Sequence, residues 1–239
     1  MPQRVLLDRP HRTAYFALLV GAVVGACRQG PGSLVPMNAA TVSFDSARIW
    51  AASTVPHGHA LYQFRWLFRN DRSSAGGIGR VRVAAPDTLR FDARGPLGSG
   101  RMAAVVVGEQ ALWASPEDAV SQLVPNYPLF WAMFGVARLP ADAADLRKLD
   151  TAQQTIWLFT QHGDTVVYLV SHGSTRRFLA EVRRPAGLLG RVETTLSPGG
   201  RPVRARLTVP GVPARLDIEF VSIDSTAAFA PDTWRHPEP

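Results

Sequence analysis

Trp113-Ala114-Ser115-Pro116-Glu117-Asp118-Ala119-Val120-Ser121-Gln122-Leu123-Val124-Pro125, followed by Leu129-Phe130-Trp131-Ala132-Met133-Phe134, interrupts a chain that otherwise reads as strands. Ser115 stands at a helix N-cap, Pro116 at the first helical position, and Glu117 and Asp118 in the first turn, where the helix dipole favours acids. Ala119, Val120, Leu123 and Val124 share one face, and Pro125 stops the segment. Tyr127-Pro128 opens a second segment that is apolar on every side and ends at Gly135. A helix apolar all round has to be covered on more than one side. The stretch from Trp113 to Pro140 therefore reads as a pair of short helices laid over a sheet and covering an apolar space.

On its N-terminal side the pattern has period two. Tyr62, Phe64, Trp66 and Phe68 point one way while Gln63, Arg65 and Arg69 point the other, with Leu67 the exception, so one strand carries four aromatics on one face. Asp71 to Gly79 reads as a turn, with Gly76-Gly77-Ile78-Gly79 at a strand edge. Arg80 to Val83, Thr88 to Asp92 and Met102 to Val107 follow as strands with tight Gly/Pro connections, and one further short strand reaches Trp113. Beyond Pro140 the meander resumes with Ile156–Gln161, Thr165–Ser171, Arg176–Arg183, Arg191–Leu196, Val203–Val209 and Arg215–Asp224. A helical pattern spans Ala39 to Ser53, with Val42, Ile49 and Trp50 as its apolar members. The expected fold is mainly β, an α+β arrangement of about 11 antiparallel strands around short helices, with neither repeat nor linker inside it.

The 239 residues are ordinary globular material, 46% hydrophobic and 19% charged. The net charge of +7 rests almost wholly on arginine, Lys148 being the only lysine. No basic run of the kind that tracks a polyanion is present, and single arginines on solvent-facing strands account for the charge without nucleic acid.

Arg4, Arg9, His11 and Arg12 precede an apolar run from Ala14 to Ala26, about 13 residues, whereas a spanning helix needs roughly 20. The run ends in Val24-Gly25-Ala26-Cys27, which resembles a bacterial lipobox occupied by the sole cysteine. Residues 1–26 then read as a lipoprotein signal peptide, 27–38 as a lipidated Cys27 with a Gly/Pro/Ser tether, and 39–239 as the folded domain. The leader carries three arginines and one aspartate, so +5 remains without it. Arg28 stands where bacterial lipoproteins kept in the inner membrane often carry aspartate, which points to the outer membrane.

No cluster of residues supports covalent chemistry. Neither a Gly-x-Ser-x-Gly elbow, a phosphate loop nor a His-Glu-x-x-His is present. His57-Gly58-His59 has no neighbouring Cys, Asp or Glu to complete a metal site, and His162 and His172 stand at opposite ends of one strand. The expectation is a protein that is not an enzyme and uses no cofactor.

At Gly95-Pro96-Leu97-Gly98 and from Trp113 to Pro140 the chain resembles the LolB-like family within the LolA/LolB superfamily, the outer-membrane lipoprotein receptors of the lipoprotein-sorting pathway. The family's Pro-Leu-Gly turn, Trp-x-x-x-Gly and Leu-Pro correspond to Pro96-Leu97-Gly98, Trp131 to Gly135 and Leu139-Pro140. The resemblance implies an unclosed antiparallel half-barrel wrapped round helices, which binds acyl chains and helps insert lipoproteins or other lipids into the outer membrane. A soluble LolA-like periplasmic carrier is the implied partner. Leu97 matches the protruding leucine that inserts cargo into the membrane. The apolar inventory that would line the cavity is Phe64, Trp66, Phe68, Trp113, Leu123, Phe130, Trp131, Phe134 and Trp157. Gly95 replaces the family's frequent asparagine and the outer face is more basic, so lipoprotein, glycolipid and phospholipid all remain open as cargo. The rival reading is a structural or interaction lipoprotein of the envelope whose half-barrel is filled by its own side chains.

Overall fold

The computed structural model describes residues 34–36, 38–96, 100–117, 127–140, 142–211 and 213–236. Thirteen strands form one sheet: β1 (Ala40–Thr41), β2 (His59–Arg69), β3 (Ser74–Ala84), β4 (Thr88–Arg94), β5 (Arg101–Val107), β6 (Gln110–Ser115), β7 (Asp145–Asp150), β8 (Gln154–Gln161), β9 (Asp164–Ser171), β10 (Arg176–Arg184), β11 (Gly187–Leu196), β12 (Pro202–Val209) and β13 (Ala214–Asp224). Among the described residues two α-helices, α1 (Phe44–Thr54) and α2 (Tyr127–Ala132), interrupt them. Every strand pair is antiparallel, and the sheet order is β1-β7-β8-β9-β10-β11-β12-β13-β2-β3-β4-β5-β6.

Two meanders, β2 to β6 and β7 to β13, thus join where β13 pairs with β2, Phe220 opposite Phe64 and Ile218 opposite Trp66. β1 and β6 remain as edges, so the sheet is an open half-barrel. Inner-face residues alternate with outer ones along each strand. In β2, Ala60, Tyr62, Phe64 and Trp66 are buried while His59, Gln63, Arg65 and Arg69 are exposed.

Large aromatics on β2 require small residues beside them. Gly79 pairs with Phe64 and Gly77 with Trp66. A Cβ on Gly79 would lie 2.4 Å from the Phe64 ring, and one on Gly77 would lie 1.9 Å from the Arg94 carbonyl oxygen. The bare backbone lets the Trp66 indole cross the sheet, its Nε1–H donating to the carbonyls of Ile78 and Arg94, both at 3.2 Å. Gly76 to Gly79 is therefore strand interior, not the turn and edge expected from its glycines. The turn itself is Asn70 to Ser73, where the Asn70 side-chain carbonyl accepts from the backbone of Arg72 and Ser73.

α1 begins at Ser43, whose hydroxyl accepts from Ser46 N–H. Ala47 and Ala51 are buried and Trp50 packs beside them, the i, i+3/i+4 spacing of a helix with one apolar face. Ala39 to Val42, expected within this helix, instead holds β1 and a backbone bond from Val42 N–H to Leu146 O.

α2 is buried along nearly its whole length: Pro128, Leu129, Phe130, Trp131 and Ala132 are all inside. Each such large apolar side chain contributes roughly 1.5–3 kcal/mol relative to exposure. The helix ends where Gly135 takes φ +77°. Its final carbonyls are not orphaned: the Gly135 N–H and the Thr194 hydroxyl of β11 both donate to Ala132 O, at 3.0 and 2.8 Å. The Trp131 Nε1–H donates to Gly108 O at 2.7 Å, anchoring α2 to the β5–β6 turn. The helix expected after Ser115, with Leu123 on its apolar face, lies almost wholly outside the described residues, as do Cys27 and Leu97.

Candidate functional site

The concave face divides into a filled half and an open half. Around α2, Phe130 meets Phe91 at 5.3 Å between ring centroids and Phe134 at 5.9 Å, and Phe134 meets Tyr62 and Phe220 at 5.8 and 5.9 Å. Phe64 stacks on Phe91 at 5.7 Å. These edge-to-face and offset contacts close the space over β2 to β5. Phe64, Trp66, Phe130 and Trp131, expected to line a cavity, are consequently core residues, and Phe68 packs against the same core.

Beside α1 the space stays open. A cavity of about 950 Å³ lies between α1 and the inner face of the second meander, at the upper end of the roughly 300–1,000 Å³ common for small-molecule sites. Trp50, Tyr62, Phe134, Trp157, Phe178 and Leu196 give it aromatic and aliphatic walls, extended by Val170 and Ile223. Trp50 stacks on Trp157 at 5.0 Å with 22° between the planes, which holds α1 against β8. The Thr54 hydroxyl donates to Ala51 O and accepts from Ala137 N–H, tying the end of α1 to the chain leaving α2.

The lining also carries polar side chains, Ser46, Ser53, Thr54, Thr155 and Ser225 among them. Tyr62 is 3% exposed, and burial pushes its phenol up to about 12 against the opposing charge of Arg201. Trp157 Nε1 is buried without a hydrogen-bond partner among the described residues, and Lys148 Nζ lies 4.8 Å from the centre of the Trp157 ring. His57, Lys148, His172, Arg176 and Arg201 also belong to the lining. Lys148 pairs with Asp150 at 2.6 Å and holds that carboxyl below its usual range, while Arg176 and Arg201 form no ion pair among the described residues. The lining thus combines aromatic and aliphatic walls with hydroxyls and basic side chains.

Of the cavity residues expected from sequence, Phe134 and Trp157 line this space. Trp113 does not: it pairs with Val105 on the outer face, where Arg90 lies 5.2 Å from its ring and its Nε1–H donates to Trp234 O at 3.1 Å. A bulge that leaves Leu112 unpaired between Ala111 and Trp113 turns the indole outward. Trp50, Tyr62, Val170, Phe178, Leu196 and Ile223 were not marked as lining, although each sits on an apolar strand face or helix face that alternation makes readable. α2 fills its half of the concave face, so the helix bordering the open half is α1.

No three His, Cys, Asp or Glu side chains among the described residues converge as a metal site. His59 instead lies against Phe229 at 5.0 Å, and His172 Nε2 is 3.0 Å from the Thr155 hydroxyl. No helix among the described residues is long and apolar enough to cross a membrane.

No family model and no curated protein matches the chain. Solved structures similar to it include a LolA superfamily protein from Nitrosomonas europaea, at 12% identity over 78% of this chain and 94% of that one, with a TM-score of 0.49. MucB is similar at 16% identity over 81% of this chain and 63% of MucB, TM-score 0.34. A putative outer membrane lipoprotein-sorting protein domain from Vibrio parahaemolyticus is similar at 7% identity over 80% and 95%, TM-score 0.33.

Proposed function

We propose that the protein is a non-enzymatic carrier of acyl chains in the cell envelope, tethered through Cys27, which holds its cargo in the cavity beside α1. The observation that carries this reading is a space of about 950 Å³ with aromatic and aliphatic walls and the basic side chains Lys148, Arg176 and Arg201 in its lining. A chain buried there gains about 0.8 kcal/mol per methylene, while Arg176, Arg201 and Lys148 offer charge to a carboxylate or phosphate head. The unpartnered Trp157 Nε1–H is a donor available to an ester or acid carbonyl. α1 meets the rest of the domain through buried Ala47 and Ala51, the contacts of Trp50 with Trp157 and Tyr168, and the Ala137 N–H that donates to the Thr54 hydroxyl, and in this reading it is the element that shifts when cargo enters.

In this reading the cargo is a lipoprotein or another lipid bound for the outer membrane, a soluble LolA-like protein hands it over, and Leu97 enters the bilayer. Native mass spectrometry of the protein purified without its anchor tests it. Retained acyl-bearing ligands, released by gentle activation, support the carrier. A consistently ligand-free protein that also takes up no added fatty acid contradicts it and leaves the structural lipoprotein reading.

A further inference from the structure

The arginines that sequence spacing leaves isolated are gathered by the sheet. A trough of about 630 Å³ has Arg65, Arg80, Arg82, Arg90, Arg94 and Arg101 in its lining, with Asp92 as its acidic member. All six alternate with inward residues of β2 to β5 and so face outward, away from the acyl cavity.

Register places like charges directly opposite each other: Arg82 faces Arg90, and Arg94 faces Arg101. Such pairs destabilise a sheet. At one end the repulsion is answered, because Asp92 accepts from Arg82 at 2.6 Å and from Arg90 at 3.1 Å, and Arg90 also donates to Thr233 O. Arg65, Arg80, Arg94 and Arg101 make no ion pair among the described residues. The outer face of the second meander is different: Arg177 meets the carboxylate of Glu193, Arg204 that of Glu219, and Arg206 and Arg215 that of Asp217. The trough also presents Ile78, 63% exposed, and Val221, 60% exposed, among its guanidiniums.

We infer that this trough binds the phosphates of anionic phospholipid headgroups and seats the outer face of β2 to β5 on a membrane. Guanidinium groups match phosphate oxygens in bidentate geometry. Free phosphate shares that chemistry, but it gives no reason to keep Ile78 and Val221 exposed. At a bilayer surface those side chains reach the acyl boundary beneath the phosphates. Two of the four, Arg94 and Arg101, bound the β4–β5 connection. The inference shares only the membrane with the carrier reading, stands on the opposite face of the sheet, and can fail while acyl binding holds.

The test uses the full chain, so that residues 1–33 are common to every sample. Co-sedimentation compares vesicles of phosphatidylcholine alone with vesicles that also contain phosphatidylglycerol, and calorimetry titrates inorganic phosphate. The expected result is a preference for the anionic vesicles that falls about five-fold for each charge removed. A variant with Arg65, Arg80, Arg94 and Arg101 all changed to Gln then loses on the order of a hundred-fold or more. Its melting temperature should stay close to wild type, since Arg94 and Arg101 face each other while Arg65 and Arg80 stand opposite Glu219 and Asp92, which separates lost binding from lost fold. Changing Arg177, Arg204, Arg206 and Arg215 to Gln removes the same charge elsewhere and should preserve most of the preference. Equal binding to both vesicles, equal loss in the two variants, or saturable inorganic phosphate binding without vesicle preference would overturn the inference.

Discussion

The Trp50 and Trp157 indoles stack at 5.0 Å, and this contact joins α1 to β8 along the wall of the open cavity. Trp157 is buried, so the pair fixes the helix to a rigid strand. Trp50→Ala should cost about 2–3 kcal/mol, combining lost area with the lost ring pair. Urea unfolding followed by far-ultraviolet circular dichroism measures it. A loss below about 0.5 kcal/mol would mean that α1 is not held through this contact.

Gly77 has no room for a methyl group, because its Cβ would meet the Arg94 carbonyl oxygen at 1.9 Å and Trp66 Nε1 at 3.0 Å. Gly77→Ala should destabilise by about 2 kcal/mol or more. Gly173→Ala, at a position with open space around it, should stay within about 0.5 kcal/mol. Parallel thermal melts of the two variants decide whether close packing of β2 on β3 is what the glycines serve.

Burial raises the Glu109 carboxyl above its ordinary 4.5, with Arg138 opposing the shift and Asp142 adding to it. One of its oxygens is buried without a hydrogen-bond partner among the described residues. The folded protein therefore keeps this proton to higher pH than the unfolded chain does. The stability this gives is present below the unfolded value and is lost as pH rises through the raised folded value. Glu109→Gln should be more stable relative to wild type at about pH 8 than at about pH 4. Denaturation curves at the two pH values test the sign, and an unchanged difference would contradict it.

Leu97→Glu should leave acyl binding intact while slowing transfer of bound lipid to vesicles. A fluorescent fatty acid measures both steps, by titration and by dequenching on transfer. Unchanged transfer would remove the membrane-insertion role from Leu97.

The open half-barrel was legible because alternation is strict where one face is buried. Tyr62, Phe64 and Trp66 announce the inner face of β2 before any coordinate is seen. β1 and β7 were not legible. The former is two residues long, and Asp145-Leu146-Arg147-Lys148-Leu149-Asp150 carries its leucines three apart, which is no strand pattern. Gly76 to Gly79 misled because glycine reads as a turn unless the aromatics across the ladder are known. The site was only half legible, since the volume left between packed side chains has no sequence signal. Trp157 was expected on an inward strand face and Phe134 in the helical segment above the sheet, but nothing local says that α2 fills one half of the concave face while α1 leaves the other open. Trp113 shows the finer limit, because one bulge at Leu112 reverses the face of everything after it.

Val170 lies on the inner face of β9, paired with Phe178, and both line the cavity beside α1. Val170→Trp should fill that space from a position that is already half-buried. The direct measurement is a titration of wild type and this variant with a fluorescent long-chain fatty acid, with circular dichroism confirming that both are folded. The carrier account predicts saturable binding to wild type and at least a ten-fold loss in the variant, about 1.4 kcal/mol. Absence of binding to wild type, or equal binding to both proteins, would contradict it.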